Sequence, residues 1–416
     1  MKRSAQFASV STLYPLLTRP DRLFLDRISQ EYCFTFQELK LLAEAARDLE
    51  MWEETPLEDL WEALKKDIPD KMDGSQQKKK IIQGLRAVMH RLRSGLSDYS
   101  EISEKPNRSR SFPMIIRDEE FRKPFGECPA FSYETLCCKL KTIDAVENCA
   151  FHCNYCAVQT FYGERITVNR ALRENLKHLK INPDAFYHFG TGQSSDSLAL
   201  GNASGILDDL CEFAGRHPNV MLELKTKSKN ISYFLNRPIP RNIVCSWSLN
   251  TKAVICHEEY GTASLSERLE AAKQLTGRGV KVAFHFHPLI AYKNCVQEYR
   301  DVAGKILSLF NRNEVAFISF GALKFSKSVI QHIRKTGGST KILQMEMEKD
   351  SGGKLTYPFA RRHRLFESLY QAFASWHSSV FIYLCMEDAP MWDRVFGWHY
   401  ENNDDFEAGF KKILCR

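Results

Sequence analysis

The sequence predicts an α/β fold, a partial (β/α)6-type TIM barrel preceded by an N-terminal helical region. Three observations predict it. From residue 142 onward, short apolar runs alternate with amphipathic stretches at intervals of roughly 30 to 40 residues, the pattern of parallel strands joined by crossover helices. Residues 21–66 instead place apolar side chains at helical spacing. The 416 residues, 44% hydrophobic and 26% charged, suffice for one large domain and one smaller one.

Taken in order, the chain starts with MKRSAQFASVSTLYPLLTRPDR, whose apolar run is broken by Ser11, Thr12 and Pro15, so a signal peptide is not expected. Thr35 is a suitable N-cap for the helical stretch FQELKLLAEAARDL. Basic runs follow: KKK at 78–80, RAVMHRLR at 86–93 and KPNRSR at 105–110. Such runs are ordinarily solvated helix faces or linkers. With a formal net charge of +7 they permit a nucleic-acid partner without requiring one. Residues 95–113, rich in Ser, Gly, Pro and charge, read as a linker. The expected division is a helical region and basic linker over 1–110, the barrel over 125–400 and a tail over 401–416.

Expected strands are 142–147, 186–191, 220–226, 243–249, 281–287, 315–321 and 380–386, with helices near 166–179, 203–216, 264–278, 296–310, 326–335 and 360–376. No period of about 20–50 residues repeats, which disfavours a solenoid. The longest apolar runs fall short of the roughly 18–20 residues that cross a bilayer, so no membrane association is expected. Thirteen cysteines without an export signal imply a reducing compartment and a cytoplasmic location.

The chemistry concentrates in CAFHCNYC at 149–156, where Cys149, Cys153 and Cys156 are spaced C-x3-C-x2-C just after the first expected strand. In a barrel that is the catalytic end. Three thiolates from one loop can hold three irons of a four-iron cluster and leave the fourth open. The alternative is structural zinc completed by His152, Cys128, Cys137 or Cys138. Zinc, however, ordinarily takes its ligands as two separated pairs, and no second pair stands here. Simple core packing does not account for the spacing.

The C-x3-C-x2-C loop resembles the cluster motif of the radical S-adenosylmethionine superfamily, and several segments resemble its spore photoproduct lyase-like family. These are NCAFHCNYCAVQTFYG at 148–163, GTGQSSDSLAL at 190–200, LELKTKSKNISYFL at 222–235, residues 246–290 and GGKLTYP at 352–358. The resemblance covers roughly residues 125–388. It implies a lyase-like radical enzyme with two cofactors, a 4Fe-4S cluster held by Cys149, Cys153 and Cys156, and S-adenosyl-L-methionine chelating the open iron. Reductive cleavage would give a 5′-deoxyadenosyl radical that abstracts hydrogen, with the protein supplying binding and orientation. The implied partners are a reductant such as flavodoxin or ferredoxin and a DNA or other nucleic-acid substrate, in repair of thymine photoproducts.

The same resemblance assigns cofactor contacts to Tyr155, Gln193, Ser194, Ser195, Lys227, Ser248 and Asn250. Read without it, Tyr155 fills the barrel mouth, Lys227 is a strand-end lysine, and Ser248 and Asn250 are turn formers. Many superfamily members place an acid where Gln193 stands, and the amide forgoes charge assistance of ~1–2 kcal/mol. Spore photoproduct lyases place there a cysteine that returns a hydrogen atom to the product. Gln193 cannot do this, which makes Cys245 and Cys385 the candidate donors. Ala157 likewise replaces a tyrosine. His285 and His287 alternate on one strand and share a face, as core features or substrate contacts. WDRVFGW at 392–398 is either core or a base-stacking platform. Other expectations are a radical enzyme acting on a protein or small molecule, and a zinc-stapled nucleic-acid-binding protein.

Overall fold

A computed structural model describes residues 12–69, 71–100, 116–121, 123–128, 131–163, 165–336 and 338–414. The start of the chain and most of the expected linker, including KPNRSR, lie outside them. The chain forms two compact units: residues up to Asp98 together with Phe325–Met347, and Tyr99–Lys324 together with Glu348–Arg416.

In the first unit, helices α1 (Arg19–Glu31), α2 (Phe36–Trp52), α3 (Leu57–Lys66) and α4 (Gly74–Ser94) are joined by the helix Lys327–Thr336. Thr35 caps α2 as expected, in a reciprocal box with Glu38. Trp61, fully buried, takes edge contacts from Phe24, Tyr32 and Phe34. The KKK and RAVMHRLR runs both lie on α4, whose Ile81, Ile82, Leu85 and Met89 face inward while Lys79, Lys80, Arg86 and Arg91 are exposed. At the centre, Asp48 is fully buried and accepts from Nε and Nη2 of Arg334, both at 2.8 Å, and from Arg93 at 2.8 Å. That triad holds a segment distant in sequence, which apolar periodicity had not separated from the barrel.

The second unit is built on an open eight-stranded sheet. Its parallel strands are β1 (Lys141–Ile143), β2 (Tyr187–Thr191), β3 (Val220–Thr226), β4 (Ile243–Ser248), β5 (Lys281–Leu289), β6 (Val315–Ala322) and β7 (Phe381–Leu384), in sequence order across the sheet. A short antiparallel strand, Phe125–Glu127, borders β1. Seven consecutive parallel strands with crossover helices make the partial barrel that the sequence predicts. Phe189, Leu222, Leu224, Trp247, Phe284, Phe286 and Phe320 are buried on the helix-facing side, each stabilising the fold by ~1.5–3 kcal/mol.

The other face lines the lumen and is unusually polar. His188, Glu223, Ser246, His285 and Ser319 meet at its floor. Glu223 accepts from Ser246 Oγ at 2.6 Å and pairs with His285 at 2.6 Å and His188 at 3.0 Å. Phe410, from the helix Asn403–Leu414 in the segment expected as a tail, packs below them against His188, Phe317 and Tyr383. The stretch 166–179, expected as one helix, differs. Ile166–Asn169 is a strand between Ile116–Glu119 and Val146–Glu147, and the helix begins at Leu172. Ile166 and Val168 are buried either side of a half-exposed Thr167, a period of two that overrode the helical reading. Trp392, fully buried among Phe396, Trp398, Tyr400 and Phe406, is core rather than a stacking platform. No helix among the described residues is long and apolar enough to cross a membrane.

Replacing Asp48 with Ala leaves two arginines facing a buried void, and the expected loss is about 3–5 kcal/mol in denaturant unfolding. A loss under ~1 kcal/mol, the value of an exposed pair, would contradict this arrangement.

The floor of the lumen yields a pH prediction. Burial would raise the Glu223 carboxyl, but His285 and His188 hold it well below its ordinary 4.5. Burial likewise depresses His285 below its ordinary 6.5. Stabilisation from a depressed carboxylate is present above its unfolded value and lost as pH falls through the native one. A depressed histidine takes up a proton on unfolding as pH falls below 6.5. Both act in one direction, so the denaturant midpoint is expected to decline below ~pH 6.5, and to decline less below ~4.5 in Glu223→Gln. A flat midpoint down to about pH 4 is the opposing result.

Candidate functional site

The three-cysteine loop sits at the C-terminal mouth of the barrel, closed at its base by Asn148. This residue adopts a left-handed conformation (φ 66°), accepts from Gly163 N–H at 3.0 Å and donates to Arg165 O. A short side chain that tolerates positive φ and bonds the local backbone suits that position. The loop is also stitched to the far side of the sheet. His152–Cys153 pairs antiparallel with Glu259–Tyr260, and Asn154 N–H donates to Glu258 O at 2.9 Å.

Two adjacent buried carboxylates anchor that seam. Glu258 accepts from Tyr99 Oη at 2.8 Å and Asn154 Nδ2 at 2.7 Å. Glu259 accepts from Tyr155 Oη, from Thr262 Oγ1 at 3.0 Å and from the fully buried Arg268, whose remaining donors reach Ala263 O and Ser248 O. Burial would raise Glu259, yet Arg268 and Lys227 hold it below the ordinary carboxylate value. Lys227 lies over the Tyr155 ring, 5.7 Å from its centroid. Burial would lower its ammonium, but Cys153 and Glu259 raise it above its ordinary value.

The thiols fit an iron-sulfur cluster in their chemistry. Burial pushes Cys149 well above the usual thiol range and Cys153 up to about 12, so protons hold these sulfurs until a cation replaces them. Donors already face the sulfurs: Phe151 N–H lies 3.4 Å from Cys149 Sγ, and Tyr162 Oη lies 3.4 Å from Cys156 Sγ. A single zinc would need sulfurs about 3.8 Å apart, the tetrahedral edge for a 2.3 Å bond. Among the described residues no three His, Cys, Asp or Glu side chains are gathered for one metal ion. A cluster that gives each thiolate its own iron accepts a wider spread.

Opposite the cysteines, the turn after β2 is rigid. Gly192 has φ 80°, and a Cβ there would lie 2.7 Å from Lys225 O and from Ser197 Oγ, so only glycine fits. Asp196 Oδ1 accepts from Leu198 N, Ala199 N and Thr226 Oγ1, and its Oδ2 accepts from Lys227 N–H at 2.7 Å. The loop thereby locks to the end of β3. Gln193 turns its amide back over Gly190, 3.3 Å from where a Cβ would stand there, and makes no hydrogen bond within the described protein. Ser194 reaches Asp144 at 3.4 Å. Tyr155, Gln193, Ser194, Ser195 and Lys227 are therefore gathered around the mouth.

Other candidates fall elsewhere. Asn250 is committed to the scaffold, its Oδ1 accepting from Tyr299 Oη at 2.5 Å and its Nδ2 donating to Pro288 O at 3.2 Å. Ser248 is 2% exposed, with its carbonyl taken by Arg268. His285 is not a substrate contact, because both its ring nitrogens are engaged, by Ser319 and Glu223, in the floor. His287, one layer higher, keeps a buried Nε2 without a partner. Cys245 is not a lumen thiol. Ser246 and Ser248 take the lumen face of β4, so alternation turns Cys245 to the helix side, near enough to Cys211 to be influenced by its charge. Cys385, just past β7, follows Tyr383 on the lumen face and lies near Lys225 and Lys324. Sequence reasoning missed Glu258, Glu259, Arg268 and Lys225, whose one signal was charge inside segments otherwise expected to pack.

Comparisons bear on this geometry. Residues 141–366 match the family model described as Spore photoproduct lyase. A spore photoproduct lyase of Clostridium acetobutylicum is 27% identical over 207 residues, 48% of this chain and 58% of that protein. One from Geobacillus sp. is 23% identical over 48% of this chain and 61% of its own length. The chain thus spans less than two thirds of these two relatives. One from Bacillus subtilis is 25% identical over 53% of this chain and 69% of that protein. Among solved structures, a spore photoproduct lyase complexed with dinucleoside spore photoproduct superposes with TM-score 0.54 at 18% identity, over 68% of this chain and 85% of that one. A mutant with bound AdoMet and dinucleoside spore photoproduct gives 0.52 at 19% identity, over 65% and 81%. At these identities the structural likeness supports the fold.

Proposed function

Because this chain belongs to the spore photoproduct lyase family, we propose that it is a radical S-adenosylmethionine enzyme acting on a thymine photoproduct in DNA. The observation that carries the reading is the loop of Cys149, Cys153 and Cys156, fixed at the barrel mouth beside the half-buried Lys227. When bound, a 4Fe-4S cluster and S-adenosyl-L-methionine would supply a carbon-centred radical able to take a hydrogen atom. The chain's own residues do the rest. Cys149, Cys153 and Cys156 would hold three irons. Lys227, packed over Tyr155, would present its ammonium to the cofactor carboxylate, and the Gln193 carbonyl would accept from the cofactor amino group. The Asp196-locked loop and the Glu259–Arg268 pair keep these groups from shifting, as positioning within a fraction of an ångström demands.

Hydrogen return falls to Cys385, whose S–H bond breaks homolytically as a C–H bond forms on the product radical, leaving the unpaired electron as a thiyl radical on its sulfur. Burial pushes its thiol up, so it stays protonated and able to donate a hydrogen atom. The electron comes from a small reductant such as flavodoxin or ferredoxin, in a cytoplasmic setting. One observation favours a second reading: with Gln193 where a thiol is expected, the enzyme acts on a protein or small molecule without returning hydrogen.

Anaerobic reconstitution with iron and sulfide is expected to give a brown protein, and Cys156→Ala a colourless one. A colourless wild type that carries zinc overturns the proposal. Given a DNA thymine photoproduct, Cys385→Ala is expected to keep forming 5′-deoxyadenosine while repaired thymine falls by about tenfold or more, at least ~1.4 kcal/mol in barrier. Undiminished repair removes Cys385 from its role, and no repair by the wild type favours the second reading.

A further inference from the structure

Lys225 is a lumen cation that the proposed cofactor site does not use. Lys225 sits on the lumen face of β3, in register with Ser246, half-buried, and its ammonium has no ion pair or hydrogen bond among the described residues. Each nearby charge is already committed. Glu223, two residues earlier, is shared by Ser246, His188 and His285. The neighbouring cation Lys324 is balanced by Asp350 at 2.9 Å and Glu387 at 3.3 Å. Lys227 stands with Glu259 and the cysteine loop. Lys225 itself makes no ion pair among the described residues.

A second, independent observation lies beside it. His287 Nε2 is buried and without a partner among the described residues, and the ring packs against Gly321, where a Cβ would come within 1.9 Å of Cδ2 and Nε2. Glycine at 321 leaves room for a ring whose Nε2 has no hydrogen-bond partner among the described residues. Lys225, His287 and Cys385 each stand two residues beyond a lumen-facing residue of the floor or its border (Glu223, His285 and Tyr383), which places them in the layer above it, and the charge of Lys225 depresses His287 after burial itself. Buried polar groups are ordinarily paired, and a charge withdrawn from water needs an opposite charge. A water molecule satisfies the imidazole but leaves the ammonium unbalanced. An oxyanion satisfies both, accepting from the ammonium and from Nε2–H.

We propose that Lys225 and His287 form an oxyanion subsite on the substrate side of the barrel mouth, which receives the phosphodiester of a dinucleotide substrate beside Cys385. The inference rests on the nucleic-acid reading above. The same chemistry would accept the carboxylate of S-adenosylmethionine, but Lys227, over Tyr155 and next to Cys153, serves the cysteine side, whereas Lys225 faces Cys385.

Calorimetric titration of the reconstituted protein with S-adenosylmethionine, and with the thymine photoproduct dinucleotide and its phosphate-free dinucleoside, separates these sources. The phosphodiester is expected to improve binding about tenfold, and Lys225→Met or His287→Gln to reduce that gap to twofold or less while cofactor affinity is kept. Lys227→Met should do the reverse. Equal binding of the two compounds by the wild type, or a gap that survives both variants, overturns the subsite and leaves the lyase reading standing. Loss of cofactor binding in Lys225→Met assigns the subsite to the cofactor and also overturns the proposal. Should neither compound bind, the lyase reading fails, and inorganic phosphate followed by the His287 ring resonances decides the subsite alone. A saturable shift absent in Lys225→Met supports it, and no shift overturns it.

Discussion

The buried carboxylate of Glu259 joins the loop that carries the chemistry to the barrel that positions it. Its backbone pairs with Cys153, its side chain takes the hydroxyls of Tyr155 and Thr262, and Arg268 neutralises it from beneath. An ion pair with no exposure to water is stabilising only when all its hydrogen-bonding capacity is used. Here Arg268 meets most of that demand by also binding the carbonyls of Ala263 and Ser248 and the hydroxyl of Thr262. The cysteine loop is thereby held at both ends, by Asn148 at its base and by the Glu258–Glu259 seam across the mouth. Without the seam, three thiols on an unsupported loop would not share one orientation.

Charge in the lumen is layered. At the floor Glu223 is hydrogen-bonded by two histidines and sealed by Phe410, so this layer is structural. At the mouth the balance shifts to cations, with Lys227 toward the cysteines and Lys225 toward Cys385. Low dielectric makes each imbalance costly and each complementary ligand correspondingly favoured. The same polarity that makes the barrel a poor hydrophobic core suits the anionic substrate and zwitterionic cofactor proposed for it.

Much of this was legible in the sequence because its signals are local. The C-x3-C-x2-C spacing lies within eight residues, and the strands follow from apolar runs whose period does not depend on distant contacts. Thr35 announced a helix start in the same way. What escaped was tertiary. Nothing in KSVIQHIRKT shows that Arg334 reaches Asp48, so the return of 325–347 to the helical unit was invisible. Cys245 and Ser246 are adjacent, and only register decides which of them enters the lumen. His285 and His287 share a face as alternation requires, yet one is consumed by Glu223 and the other is left open, a difference set by a residue sixty positions away.

The claim on which the rest depends is that the three-cysteine loop holds a cluster with one iron left for S-adenosylmethionine. Electron paramagnetic resonance of the reduced, reconstituted protein tests it directly. Adding S-adenosylmethionine is expected to change the spectrum of the reduced cluster, and Lys227→Met to require more cofactor for the same change. A reduced cluster whose spectrum is indifferent to saturating S-adenosylmethionine contradicts an open iron at this site.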